Sequence, residues 1–164
     1  LYAISKLTAE CLGLSHAGLN VKCLRFAQLS GIGVRPGFLV TTLIEQARRG
    51  EPLVVFGTGK GEREYLYVKD AAAGIRAALE HPQERGIFNM GLGSCVSACG
   101  MAEAVSGVFV GGRPEIRLDS SREGDTGRWL MDGSKARRQL EWSPRWTLEA
   151  MLADMKRILE TEGK

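Results

Sequence analysis

The sequence predicts an α/β protein, and three observations carry that expectation. Short β-branched, apolar runs alternate with runs of helical period along most of the chain. Glycine fills 21 of 164 positions, well above the usual ~7%, so short elements joined by tight turns are expected, not a plain helical bundle. No internal repeat, low-complexity tract or linker interrupts the pattern.

The elements follow in order. Residues 2–18 are good helix formers without proline, and Gly18 closes them. "VKCLRFAQ" (21–28) reads as a strand running into the glycine-broken "LSGIGVRPG". Across 38–49, Leu39, Val40, Leu43, Ile44 and Ala47 mark one helical face, and Gly50 stops it. "PLVVF" is a strand, "GTGKG" a loop and "EYLYV" another strand. Asp70 is expected to start a helix that buries Ala71, Ala72, Ile75 and Leu79 and closes at His81-Pro82. "GIFNMG" (86–91) reads as a buried strand, and Ser97 as the N-cap of a helix reaching about Phe109. "EIRL" is a further strand. Asp132 or Ser134 caps a short helix "KARRQL", and Thr147 caps the last one, with Leu148, Met151, Leu152, Met155 and Leu159 inward.

Charge and composition narrow the function. A formal charge of +3 with scattered Lys and Arg argues against nucleic acid as a partner. No apolar run is long enough for a membrane helix, and the first residues do not resemble a signal peptide. Cys11, Cys23, Cys95 and Cys99 form no C-x-x-C, and His16 and His81 are the only histidines. No metal site is expected; reduced thiols and a cytoplasmic location are.

Three stretches could carry chemistry. Tyr2 and Lys6 stand four apart on the first helix, with Cβ atoms about 5–6 Å apart. A phenol is a poor base near neutrality, and a neighbouring ammonium favours the phenolate, which makes Tyr a usable acid/base. The plain alternative is an exposed Tyr and a solvated Lys. In "FGTGKGEREYLYVKD", the glycines admit a close ligand and Arg63 offers a planar fork suited to phosphate. The alternative there is an exposed turn with a surface Arg. In "SREGDTGRWLMD", Arg122 and Asp125 can clamp a phosphate and a sugar hydroxyl, or form a local salt bridge of little worth. Asp132, Ser134 and Lys135 read as capping, and Leu140, Trp142 and Trp146 as packing. No glycine cluster has the strand–G-x-G-x-x-G–helix context of a dinucleotide fingerprint.

The order of these pieces resembles the C-terminal half of the extended short-chain dehydrogenase/reductase family, the NAD-dependent epimerases and dehydratases of nucleotide sugars. "YAISKLTAE" resembles its Y-x-x-x-K helix, and "LRFAQLSGIG" its R-[FY]-x-N-x-Y-G-P strand. "GTGKGEREYLYVKD" is similar to G-D-G-x-Q-x-R-D-[FY]-x-Y-V-x-D, and "GIFNMGLGSCVS" to G-x-[FY]-N-[IV]-G-x-G. "REGDTGRWLMDGSKARRQLEWSP" resembles R-P-G-D followed by D-x-S-K-A-x-x-x-L-G-W-x-P. The likeness covers nearly the whole chain.

The resemblance implies a fold: the C-terminal part of a Rossmann-like parallel sheet domain plus a small α+β substrate-binding lobe. Residues 1–50 would be the remnant of the dinucleotide-binding domain and 51–164 mainly the lobe. It implies a function: an NAD- or NADP-dependent epimerase/dehydratase acting on a nucleotide-diphosphate sugar. Tyr2 would be the catalytic acid/base, and Lys6 would lower its pKa and hold the nicotinamide ribose. Arg63 and Arg122 would bind the diphosphate, Asp125 the nucleotide ribose and the segment around Phe56 the base. Gln28 replaces a substrate-contacting Asn of the pattern, Glu64 its Asp, Glu123 its Pro and Glu141 a Gly. A homodimer through the 2–18 helix, with Ala9, Leu12 and His16, is also implied. The family's glycine-rich half would lie before Leu1, so the chain alone is expected to be an inactive fragment. Two rivals remain: a family member acting on a non-nucleotide hydroxyl or ketone, and a non-catalytic binding or dimerising module.

Overall fold

A computed structural model describes residues 1–111 and 115–162. Helix α1 (Tyr2–Ser15) leads into strands β1 (Lys22–Phe26) and β2 (Gln28–Ser30), then helix α2 (Leu39–Arg49). Next come β3 (Leu53–Phe56), β4 (Glu62–Arg63), β5 (Tyr65–Tyr67) and α3 (Val68–Glu80). The order closes with β6 (Gly86–Met90), β7 (Val96–Ser97), α4 (Ala98–Phe109), β8 (Ile116–Asp119), β9 (Arg128–Trp129), α5 (Ser134–Gln139) and α6 (Leu148–Glu162).

The expected α/β class is what folds, and its pairing is mainly parallel. β1 pairs with β6, β2 with β5 and β3 with β8, all parallel. β4 lies between antiparallel β7 and parallel β9. Parallel partners need long crossovers, and helices supply them.

Two apolar cores sit on the two faces of β5, as the period of two along a strand requires. Tyr65 and Tyr67 join one core with Leu43 of α2, Val55 of β3, Met101 of α4 and Leu152 of α6. Leu66 joins the other, with Ala71 of α3, Phe88 of β6, Leu140 and Trp142. These cores do not divide the chain at residue 50, because α2 packs with β3, α4 and α6.

Most local signals act as read. Ser97 Oγ accepts the Gly100 N–H (3.0 Å) at the start of α4, and Thr147 Oγ1 accepts that of Ala150 (3.2 Å) in α6. Gly50 ends α2 in the left-handed region at φ 69°. Asp132 Oδ1 accepts the Ser134 N–H (2.8 Å) just ahead of α5.

Several expectations are corrected. The strand at 21–28 is two strands: Ala27 turns its N–H to the Met90 carbonyl (3.2 Å), and pairing then passes from β6 to β5. "EYLYV" breaks at buried Glu64. α1 ends at Ser15, where Arg85 takes the Leu14 carbonyl (2.6 Å), short of Gly18. α3 begins at Val68, and Asp70 inside it serves another end. Its carboxylate accepts the N–H groups of Arg145 (3.0 Å) and Trp146 (3.1 Å), which ties the approach to α6 onto α3. The buried face of α3 is Asp70, Ala71, Gly74 and Ala78, while Ala72, Ile75 and Leu79 face outward. The reason is close packing: a Cβ on Gly74 would lie 2.6 Å from Met90 Cε, so the helix approaches on its smallest residues.

Among the described residues no helix is long and apolar enough to cross a membrane. No group of His, Cys, Asp and Glu among them could hold a metal ion. The four cysteines are free thiols.

Candidate functional site

The segments singled out at 56–63 and 122–125 meet. After β3 the chain turns through Gly57 at φ 66°, and a Cβ there would lie 2.5 Å from the Gly124 backbone nitrogen. Gly61 would likewise collide with the Asp125 carbonyl. Bare backbone at these glycines lets the 120–127 loop lie directly on the β3–β4 turn. Arg122 then sits with its guanidinium 5.0 Å from the centroid of the half-exposed Phe56 ring, a cation–π geometry. An open groove of about 480 Å³ runs here, lined by Gly57, Thr58, Ser120, Arg122 and Thr126 among others.

β4 places Arg63 on the other side of the same loop. Its guanidinium pairs with Asp125 at 2.6 Å and lies 5.9 Å from the Trp129 ring centroid. The Asp125 carboxyl is held below its ordinary range, first by the Gly127 N–H (3.0 Å) and then by Arg63. Asp125 therefore pairs with Arg63, across the loop, and not with its near neighbour Arg122. A second cavity of about 200 Å³ is lined by Ala27, Gln28, Arg63, Glu64, Trp129 and Met131. Gln28 is thus beside Arg63. Glu64, 2% exposed, is satisfied by the N–H groups of Gly93 (2.7 Å) and Met131 (2.9 Å). It anchors β4 to the strands on either side.

Tyr2 and Lys6 stand apart from this cluster. Lys6 Nζ lies 5.4 Å from the Tyr2 ring centroid, so the i, i+4 pairing forms. Tyr2 is 77% exposed, and α1 buries none of its residues. The helix is tied to the body by the Glu10–Arg25 pair (2.5 Å) and by Arg85 at its C-terminal end. Among the described residues no hydrogen bond, ion pair or ring contact joins Tyr2 or Lys6 to Gln28, Phe56, Arg63, Arg122 or Asp125.

Sequence reasoning missed Trp129 and Glu64 as parts of the site. Trp129 was detectable as an aromatic four residues after Asp125 in a glycine-broken loop. The role of Glu64 was not, because its partners are backbone groups of distant segments.

Comparison with known proteins places this arrangement. The model of the NAD dependent epimerase/dehydratase family matches residues 1–91. The chain is 32% identical to UDP-glucuronic acid decarboxylase 1 of Arabidopsis thaliana, over 99% of this chain and 40% of that protein. It is 30% identical to dTDP-glucose 4,6-dehydratase of Xanthomonas campestris, over 72% of this chain and 36% of that one. Among solved structures, UDP-N-acetylglucosamine 4-epimerase from Bacillus cereus matches 97% of this chain and 53% of its own, with 28% identity and a TM-score of 0.87. The chain spans about half or less of the length of each. The fold is accordingly the matching half of a Rossmann-like epimerase/dehydratase chain. With the motif order, the site at the β3–β4 turn and these matches in agreement, this chain belongs to the NAD-dependent epimerase/dehydratase family.

Proposed function

We propose that this chain is the substrate-binding portion of an NAD(P)-dependent epimerase or dehydratase acting on a nucleotide-diphosphate sugar. The observation that carries the reading is the meeting of Arg63, Arg122 and Asp125 around one loop, next to the exposed face of Phe56. Two guanidinium forks suit a diphosphate, which offers oxygens on two phosphorus centres. The Phe56 ring offers a stacking face to a nucleobase, and the Asp125 carboxylate accepts from ribose hydroxyls. Gln28, on the cavity beyond Arg63, faces the sugar. On this reading the diphosphate takes over Arg63 from Asp125 and frees that carboxylate for the ribose.

The residues present fit one end of a dinucleotide. A phenol and an ammonium side by side on an open helix face suit a nicotinamide ribose and the reacting hydroxyl. When bound, the nicotinamide supplies the hydride acceptor. Tyr2 takes the proton of the sugar hydroxyl at its phenolate oxygen, and Lys6 holds the ribose and stabilises that phenolate. The 164-residue chain lacks a strand–glycine turn–helix for the pyrophosphate, so alone it neither binds the dinucleotide firmly nor turns over. The boundary at residue 50 is proposed as a division of labour, dinucleotide side before it and substrate side after it. Exposed Ile4, Leu7 and Leu12 support a homodimer through α1.

Calorimetric titration of the chain with UDP, dTDP and the matching monophosphates tests this. The diphosphates are expected to bind, and Arg63→Gln and Arg122→Gln each to weaken them. Absence of binding by either diphosphate refutes the nucleotide-sugar reading in favour of a non-nucleotide substrate.

A further inference from the structure

A separate cavity of about 340 Å³ opens between β5, the 92–96 turn and the first turn of α6. That volume is in the range of small-molecule pockets. Its wall is apolar at Leu92, Val96, Pro144, Trp146 and Leu148, and polar at a few converging points. No Asp or Glu lines it, whereas Arg63 and Arg145 both do. Arg63 is committed to Asp125. The Arg145 guanidinium has no ion pair or hydrogen bond among the described residues, although its backbone N–H is fixed on Asp70.

Tyr65 supplies the second observation. It is 7% exposed, yet its hydroxyl has no hydrogen-bond partner among the described residues. A buried hydroxyl without a partner costs free energy. This one is not sealed inside the core, and the cavity that Tyr65 lines is where it meets a partner. Burial pushes its phenol up, with Arg63 opposing, so the group stays protonated and donates. The fifteen-residue α6 begins at the same wall, its positive end toward the cavity, and the Ser94 hydroxyl adds a donor.

We propose that this cavity is a second binding site, distinct from the nucleotide site, for a small organic phosphate monoester. Arg145, Tyr65, Ser94 and the amide end of α6 hold the phosphate, and the apolar wall with Trp146 takes the organic body. A carboxylate has two oxygens for these donors, while a phosphate ester offers three outward ones. The assignment does not rest on the nucleotide-sugar reading.

The test is an NMR titration of the ¹⁵N-labelled chain with phenyl phosphate, with inorganic phosphate as the second arm. Saturable shifts of the Trp146 indole and Ser94 amide are expected. Tyr65→Phe, which keeps the buried ring, and Arg145→Gln, at an exposed side chain, should each weaken binding by about fivefold or more. Arg122→Gln, in the nucleotide groove, should leave it unchanged. No shift at Trp146, no effect of Arg145→Gln, or loss in Arg122→Gln would overturn the site. Equal affinity for inorganic phosphate would overturn its assignment to an organic ester.

Discussion

Helices α1 and α6 differ by one residue in length, 14 against 15, and both carry regularly spaced apolar side chains. α6 sinks Met151, Leu152 and Met155 into the core between α2 and α4, while α1 buries nothing and leaves Ile4, Leu7 and Leu12 open. Helical period alone therefore does not say whether a face is covered; the neighbouring elements decide. The same contrast separates the proposed functions. Side chains that would hold a ligand project from strands and loops locked to the packed body, and those that would move a proton ride on the least anchored helix.

The comparison breaks or sharpens most strongly in the core. Leu152→Ala should cost about 2–5 kcal/mol in urea unfolding, whereas Leu12→Ala should cost under about 0.5 kcal/mol. Equal losses would mean that α1 is covered in solution. Asp70→Ala comes next, at about 2–3 kcal/mol, because it strands the Arg145 and Trp146 N–H groups and loosens the entry to α6. Thermal unfolding read beside Arg145→Ala, which keeps that N–H, isolates the backbone tie.

Arg122→Gln should weaken UDP about 10- to 100-fold by calorimetry while leaving the unfolding midpoint in place. A smaller effect is expected on the acid side. The Asp154 carboxyl is held well below its ordinary range by Lys69, Tyr67 and Arg157, whose side chains donate to it. Folding lowers its proton affinity, so its contribution is present above the unfolded value of about 3.9 and drains away as pH falls below it. Asp154→Asn should flatten that part of the stability–pH curve, read from urea melts between pH 5 and pH 2. Smallest of all, Tyr2→Phe should change UDP affinity less than about twofold and stability within about 0.5 kcal/mol. A large effect on UDP would place α1 against the nucleotide groove.

Much of this architecture was legible because its causes are local. Gly50, Ser97 and Thr147 end or start helices through their own backbone or side-chain chemistry, and all three act as read. The motif order located Arg63, Arg122 and Asp125, and the fold brings them together. What was not legible depends on partners far along the chain. The outward turn of Ile75 and Leu79 follows from how closely Gly74 meets Met90 and Trp142. The break at Ala27 follows from Met90, and the burial of Glu64 from amides at Gly93 and Met131. The Asp125 pairing crosses a loop closure that spacing along the sequence cannot express.

The contact of Gly57 with Gly124, and of Gly61 with Asp125, also bears on how this protein can change over generations. Every single-base, non-synonymous change in a glycine codon either adds a Cβ or stops translation. At these positions each added carbon strikes backbone of the opposing loop. The mutational neighbourhood of this junction is therefore nearly lethal to its shape. Drift in ligand preference has to travel through side chains at its rim, Phe56, Thr58 and Trp129, while the glycine seam stays as it is.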